Sequence, residues 1–251
     1  MSGHSKWASI KHKKAATDSK RGKLFTKIIK EITIAARHGG GNPDTNPGLR
    51  LAILKAKQGN MPADNVERAI KKGTGELEGV NYEEVVYEGY GQAGVAIYVE
   101  VLTDNKNRTT AEIRNIFSKH GGNMAGSGSV SWMFEKKGYF AIAKKSTTED
   151  ALMSIALESG AEDLMTEGDT FEIKTLPQDF EKVKKALDDN SIPVESSELT
   201  MIPKSTIKIE SDKAKPLLSL VDALEDNDDV QNVYANFDIP EDVLNKIEGE
   251  A

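Results

Sequence analysis

The sequence contains no cysteine and no long run of apolar residues. The lack of cysteine excludes disulfides, thiolate catalysis and cysteine-based zinc sites. Because no segment approaches the ~20 apolar residues that a membrane helix needs, we expect no membrane span. Aromatic residues make up only 6% of the chain and the mean hydropathy is −0.48, values typical of a polar globular protein. The N-terminus carries charge but no apolar stretch behind it, so we expect a cytoplasmic protein without a secretory signal.

Acidic residues are almost absent from the first 30 residues of a chain that is acidic as a whole. This segment holds nine lysines and arginines and a single acid, Asp18, whereas the whole chain has a formal net charge of −7. Residues 1–80 carry a net charge of +9 and residues 81–251 a net charge of −16. Such a division predicts that the N-terminal part binds nucleic acid, since contact with phosphates depends on the local field.

Apolar periodicity begins only after the basic segment. Between Leu24 and Ala36 apolar residues recur at three- and four-residue spacing, which predicts a helix that ends at the glycines from residue 39. Asn46 followed by Pro47 predicts the cap and first turn of a second helix. A third short helix is expected after Pro62. Together these patterns predict a small three-helix domain.

The remaining sequence alternates between strand and helix patterns, and the order β-α-β-β-α-β recurs. The predicted fold class is therefore α+β, with a small N-terminal three-helix domain followed by two ferredoxin-like α+β domains, the third inserted in the second. The predicted parts are a flexible basic arm (1–19), the helical domain (20–79), an α+β domain (80–134 plus 205–240), the inserted α+β domain (135–204) and a C-terminal helical turn and tail (241–251).

Three motifs could suggest a small-molecule or metal site, but the residues in and around each motif argue against such a site. The GYGQAG stretch at 89–94 matches a dinucleotide fingerprint, but a strand rather than a helix follows it, so a tight connection between strands is favoured. The EDNDD run at 225–229 lacks the glycine and the distal glutamate of a calcium loop, which favours a solvated helix end. The four histidines show no metal-ligand spacing. We expect no catalytic residue, metal, cofactor or small-molecule substrate, and therefore a binding protein.

The N-terminal segment offers the clearest candidates for contact with nucleic acid. Its lysines would neutralise phosphates and release counterions, and Trp7 could stack on a base. The alternative is a solubilising tail whose tryptophan packs on the first helix. The predicted nucleic-acid-binding residues are Lys6, Trp7, Lys11, His12, Lys13, Lys14, Lys20, Arg21, Lys23 and Lys27.

A second unusual segment is GGNMAGSGSVSW at 121–132, which is rich in glycine and serine. It is interpreted either as a flexible connection between a helix and a strand or as a loop that closes on a partner. In the second interpretation, the partner contacts are Asn123, Met124 and Ser127.

Four long stretches occur in order: GHSKWASIKHKKAATDSKRGKLFTKIIKEI, GGGNPDTNPGLRLAILKAKQGNMPADNVERAIKKGTGE, YEGYGQAGVAIYVEVLTDNKNRTTAEIR and GSVSWMFEKKG. With them the chain resembles the YebC/PmpR family of bacterial proteins, which has a mitochondrial branch that activates translation of a cytochrome oxidase subunit. The resemblance implies a helical domain and two α+β domains, one inserted in the other. It also implies a non-enzymatic function.

Two functions are implied by the resemblance, and both involve nucleic acid. One is a probable DNA-binding transcriptional regulator that acts on promoter DNA. The other is a ribosome-associated RNA-binding translation factor that relieves stalling at proline-rich sequences. The three short helices contain no obvious recognition helix, whereas a lysine-rich arm with one aromatic residue suits irregular RNA.

Overall fold

The computed structural model describes residues 18–240 together with residues 243, 244 and 247, and it describes side chains from Arg21 onward. The predicted arm therefore lies outside the described residues except for positions 18 and 19, which belong to the first helix. The described chain forms two compact units, one of residues 132–205 and one of the remaining residues.

The second of these units begins with three helices, α1 (Asp18–Gly39), α2 (Pro47–Gln58) and α3 (Ala63–Thr74). The predicted cap of α2 is confirmed, because Asn46 Oδ1 accepts a hydrogen bond of 3.1 Å from Leu49 N. The three helices pack around a small apolar core. Its buried members are Ile28, Ile32, Ala36, Leu49, Ala52, Ala56, Met61 and Ala69.

The same unit contains a four-stranded antiparallel sheet. Its elements are β1 (Glu83–Tyr90), β2 (Ala96–Thr103), α4 (Lys106–Lys119) and β3 (Asn123–Ala125), followed after residue 205 by α7 (Ser211–Glu225) and β9 (Val230–Ala235). The strand order is β3-β1-β2-β9. Two further short strands, β8 (Ile207–Lys208) and β10 (Phe237–Asp238), form a separate parallel pair. Apolar residues of the sheet and of α4 and α7 form one core, which includes Val99, Phe117 and Leu217.

The unit of residues 132–205 has its own sheet and its own core. Its elements are β4 (Phe134–Ala143), α5 (Glu149–Ser159), β5 (Ala161–Glu167), β6 (Thr170–Thr175), α6 (Phe180–Asp189) and β7 (Ser196–Pro203). The strand order β5-β6-β4-β7, antiparallel throughout, is the split βαβ arrangement of a ferredoxin-like domain. Phe140 stacks on Phe180 inside it with ring centroids 4.8 Å apart.

The predicted fold class is confirmed: three helices precede two α+β domains, and the later one interrupts the earlier one. The two sheets differ in how their central strands are connected. In the sheet β3-β1-β2-β9 the central strands β1 and β2 are consecutive in the chain, whereas in the sheet β5-β6-β4-β7 the central strands β6 and β4 are not. Residues Ser131–Met133 form a 3-10 turn, and β4 begins at Phe134. The exact domain bounds stay predictions.

Within residues 18–240 we find no helix that is long and apolar enough to cross a membrane.

Candidate nucleic-acid interface

Helix α1 presents two different sides to the rest of the protein. One side carries the apolar stripe that packs against α2 and α3. The other side carries Lys23, Lys27 and Lys30, whose spacing of four and then three residues places them on one face of a helix. The structure brings this lysine stripe to the turn that follows α7.

The lysine stripe binds the C-terminal end of α7. Lys27 Nζ donates to the carbonyl oxygen of Glu225 at 2.7 Å, and Lys23 Nζ donates to that of Asp226 at 3.1 Å. The last carbonyls of a helix lack partners within it and form the negative end of its dipole, so cations are favoured there. Two of the predicted nucleic-acid-binding residues, Lys23 and Lys27, therefore hold α1 against α7 in this structure.

Asp229 is the centre of the contact between the helical part and the sheet. Its carboxylate, which is only 5% exposed, accepts hydrogen bonds from Lys30 Nζ at 2.7 Å and from Arg108 Nη2 at 2.6 Å. The hydroxyls of Thr109 and Thr103 add bonds of 2.6 and 3.1 Å. Burial alone would raise the pKa of Asp229, but the bonds from Lys30, Thr109 and Arg108 outweigh it and hold the pKa far below its ordinary value.

Arg21 is a predicted binding residue whose side chain, like that of Lys23, is exposed. Its guanidinium lies 5.5 Å from the centroid of the Phe25 ring, and Nη2 is 3.5 Å from the carbonyl oxygen of Asn60. For Lys20 only the backbone, which is part of α1, is described. The remaining predicted contacts lie outside the described residues: Lys6, Trp7, Lys11, His12, Lys13 and Lys14.

The segment 121–132 contains a short strand and the start of a 3-10 turn. Its first part forms β3, in which Asn123 pairs with Tyr90 and Met124 pairs with Gly89 of β1. Asn123 and Ser127 are exposed, while Met124 is half-buried against the core of the sheet. The structure thus places Asn123 and Ser127 at the surface, whereas Met124 contributes to packing.

Glu88 fixes the second part of that loop from inside. Its carboxylate is 4% exposed and accepts three backbone hydrogen bonds, from the N–H groups of Gly128 (2.7 Å), Val130 (2.6 Å) and Ser131 (2.8 Å). Burial would raise the pKa of Glu88, but the three backbone bonds reverse the effect, so its pKa lies below the ordinary value.

Sequence reasoning missed the buried charges that organise this region. The lysine stripe on α1 and the acidic run at 225–229 are both visible in the sequence, and their opposite charges were the signal that could have paired them. No sequence pattern distinguishes Glu88 from the neighbouring exposed acids Glu83 and Glu84, because only its backbone partners 40 or more residues away identify its role.

The described residues contain no group of three His, Cys, Asp or Glu side chains that could hold a metal ion. The charged groups of the interface instead bind each other. These contacts position the basic helix α1 against the α+β part of the same unit.

Comparison with known families agrees with this architecture. Residues 5–76 match the model of the TACO1/YebC protein N-terminal domain, and residues 82–237 match that of the TACO1/YebC second and third domain. The chain belongs to the TACO1/YebC family, which confirms the resemblance seen in the sequence.

Individual relatives match over nearly their whole length. The chain is 59% identical to a probable transcriptional regulatory protein of Desulforapulum autotrophicum, over 97% of this chain and 98% of that protein. It is also 59% identical to one from a Sulfurihydrogenibium species, over 99% and 100%. A crystal structure of a conserved hypothetical protein from Aquifex aeolicus is 50% identical and superposes with a TM-score of 0.80, over 89% of this chain and 93% of that one.

Proposed function

We propose that this protein is a non-enzymatic, cytoplasmic regulator of gene expression that binds nucleic acid, acting as a DNA-binding transcriptional regulator on promoter DNA. The observation that carries the proposal is the charge division, with +9 in residues 1–80 and −16 in the remainder. The names of the relatives, probable transcriptional regulatory proteins, support it.

In this proposal the binding residues lie in the basic N-terminal segment. Lys6, Lys11, Lys13 and Lys14 neutralise phosphates, Trp7 stacks on a base, and a second contact comes from the loop at Asn123 and Ser127. Lys23 and Lys27 act indirectly, because their bonds to the end of α7 hold the first turns of α1 in place.

A second candidate is a ribosome-associated RNA-binding translation factor that relieves stalling at proline-rich sequences. The observation in its favour is the charge pattern on the exposed face of α3. Lys71 Nζ is 2.6 Å from Glu67, and Asp64 and Arg68 lie on the same face of the helix. This mixture of opposite charges differs from the set of Arg, Asn and Gln with which a recognition helix reads bases in the major groove.

Ultraviolet crosslinking in living cells, followed by sequencing of the attached nucleic acid, separates the two candidates. Enrichment of promoter DNA supports the transcriptional regulator, and enrichment of ribosomal RNA supports the translation factor. Changing Lys11, Lys13 and Lys14 together to Glu is expected to abolish crosslinking with the fold intact, because phosphates would then meet three repelling charges. Crosslinks that persist at the original level in this variant would contradict the role of the segment.

A further inference from the structure

Among the large apolar side chains that the structure describes, Trp132 has the highest exposed fraction. It is 64% exposed, ahead of Leu157 at 56%. Tryptophan is one of the side chains whose burial stabilises a folded protein most, and it is also enriched among the residues that dominate binding to other molecules. An indole that is mostly exposed is therefore a candidate contact for a ligand.

The backbone around Trp132 is held by the unit of residues 132–205. Trp132 lies in the 3-10 turn Ser131–Met133, directly before β4. The carbonyl oxygen of Met133 accepts a hydrogen bond of 2.9 Å from Lys204 N, and the buried Phe134 pairs with Pro203 of β7. These contacts place the indole at the start of β4, next to the end of β7.

This end of the sheet is basic, although the unit as a whole is acidic. Residues 132–137 and 203–205 carry three lysines and one acid, whereas the remaining residues of the unit carry 6 basic and 14 acidic side chains. The acid is Glu135, whose carboxylate lies 3.3 Å from Lys204 Nζ and 3.6 Å from Lys137 Nζ. The positive charge of the unit is thus concentrated near Trp132, where it attracts anions.

The ion pair between Lys204 and Glu135 lies at the surface. The side chains of Lys204 and Glu135 are 50% and 49% exposed. Surface pairs of this kind contribute little to stability, because water competes for both charges. Lys204 can therefore exchange Glu135 for the phosphate of a ligand at small cost to the fold.

The composition of this surface suits an unpaired nucleobase better than a protein partner. Around Trp132 the exposed residues are charged, namely Glu135, Lys136 and Lys204. Lysine and glutamate are depleted in protein–protein interfaces, whose cores are apolar. A single aromatic ring beside lysines is instead the arrangement that stacks an unpaired base and binds the adjoining phosphate.

We infer that Trp132 and Lys204 form a binding site for single-stranded RNA, in which the indole stacks on one unpaired base and the lysine binds a neighbouring phosphate. This inference rests on the second candidate function, RNA binding, and adds a contact outside the N-terminal segment. RNA is the favoured occupant because its loops present unpaired bases, whereas the bases of duplex DNA are already stacked on one another. The acidic remainder of the unit repels phosphates and leaves this end of the sheet as the place of contact.

Tryptophan fluorescence tests the stacking directly, because the chain has only two tryptophans, Trp7 and Trp132. In the full-length variant Trp7→Phe, the emission of Trp132 should be quenched by a single-stranded RNA of about 12 nucleotides, as the indole stacks on a base. The same RNA annealed to its complement should leave the emission unchanged. The variant Trp132→Phe, in which Trp7 reports alone, shows whether the N-terminal segment binds the same RNA.

Fluorescence anisotropy with the same RNA, labelled with fluorescein, measures the contribution of the indole to affinity. Trp132→Ala should weaken binding by about fivefold or more, as expected for the loss of one stacked base, and Trp132→Phe should restore most of the affinity. The matched control is Leu157→Ala, which shortens another exposed apolar side chain of the same unit and should bind like the wild type.

Two charge changes test the phosphate contact. Lys204→Gln should lower the slope of log affinity against log salt by about 0.7, as expected for one lost phosphate contact with a single strand. Glu135→Gln should tighten binding, because it removes a repelling charge and releases Lys204. Lys182→Gln, at an exposed position of α6, is the control for the lysine change and should leave the slope unchanged.

The inference is overturned if the RNA quenches Trp7 in Trp132→Phe but not Trp132 in Trp7→Phe, while Trp132→Ala binds like the wild type. That result would leave RNA binding in place and confine it to the N-terminal segment. A blue shift of the Trp132 emission with rising protein concentration, in the absence of RNA, would also overturn the inference, because a second copy of the chain would then cover the indole.

If the wild-type protein does not bind the RNA at about 0.1 M salt, the second candidate function and the inference fall together. The proposal of a regulator that acts on promoter DNA would be unaffected by that result, since the crosslinking experiment tests it separately.

Discussion

Asp229 shows how a single residue can connect two parts of the chain that are far apart in sequence. Its carboxylate is shared by Lys30 of α1 and Arg108 of α4, and both Lys30 and Asp229 are almost fully buried. A buried ion pair is stable only while both partners are present, because either charge alone would remain desolvated.

We therefore expect Asp229→Asn to lower the free energy of unfolding by about 3–5 kcal/mol, since Lys30 is left buried without its counter-ion. Lys30→Met should also destabilise the protein, and the double variant should lose less than the sum of the two single losses. Urea denaturation of the four proteins measures this coupling. Strict additivity would contradict a direct interaction between the two side chains.

The same pair predicts the direction of a pH effect. Because the pKa of Asp229 is held below its ordinary value of 3.8, its contribution is fully present above that value and is lost as the pH falls. The difference in unfolding free energy between the wild type and Asp229→Asn should be constant near neutral pH and should shrink as the solution becomes more acidic than about pH 4. A difference that widens on acidification would contradict the assignment.

Glu88 is a second buried carboxylate, and its partners are backbone groups. We expect Glu88→Gln to loosen the loop, because an amide offers one acceptor oxygen in place of two, so its NH2 group must face either the N–H of Gly128 or the N–H groups of Val130 and Ser131, whose bonds it cannot accept. Amide hydrogen exchange should accelerate at Gly128 or at Val130 and Ser131, and it should stay unchanged in α2. Glu84→Gln, at an exposed position of the same strand, is the control.

At the scale of helices and strands, the sequence predicted those elements whose own residues form a periodic apolar stripe that is buried in the structure. Helix α1 was recognisable because Ile28 and Ile32 repeat at helical spacing and are buried. Strand β5 was missed because its sequence, AEDLMTE, is polar and acidic, and it is a strand only through its pairing with β6. Strand β3 was missed for the same reason, since a stretch of three residues gains its structure from β1.

The candidate site was predictable to a smaller extent than the fold. A charge count finds basic residues but does not distinguish a lysine that is free to meet phosphate from one that binds the end of a helix, and Lys27 belongs to the second kind. That distinction depends on α7, which lies nearly 200 residues later in the chain. Contacts between a helix end and a distant element are tertiary contacts, so a count of charged residues does not reveal them.

The packing of α1 on α3 gives a prediction at this scale. A Cβ on Gly73 would lie 2.4 Å from the carbonyl oxygen of Thr33 and 2.7 Å from Ala36 Cβ, so the two helices cannot keep their distance if a methyl group is added. Gly73→Ala should lower the free energy of unfolding by about 1–3 kcal/mol despite the better helix propensity of alanine. Urea denaturation measures it, with Thr74→Ala, at an exposed neighbouring position, as the control. Equal stability of both variants would contradict the close packing.

For the whole molecule, the proposed function makes the distribution of charge the property that sets the affinity for polyanions. The unit of residues 132–205 contains 9 basic and 15 acidic residues, so it accounts for much of the net charge of −7. Acidic domains attached to a basic segment repel nucleic acid over roughly one Debye length, which is about 10 Å at 0.1 M salt. We expect the acidic domains to weaken the non-specific binding of nucleic acid more than its specific binding.

Removing that unit tests this role of the acidic domain. Its two ends are adjacent, because Lys204 N donates to the carbonyl oxygen of Met133 at 2.9 Å, so a short glycine–serine linker can replace residues 132–205. The shortened chain has a formal net charge of −1, and we expect it to bind a DNA duplex of unrelated sequence more tightly, with the gain largest at low salt. Circular dichroism must first show that its helices persist. Fluorescence anisotropy over a series of salt concentrations then measures the affinity. An unchanged or weaker affinity at low salt would mean that the inserted domain itself contributes contacts to nucleic acid, and the division of the chain into a binding part and a repelling part would be wrong.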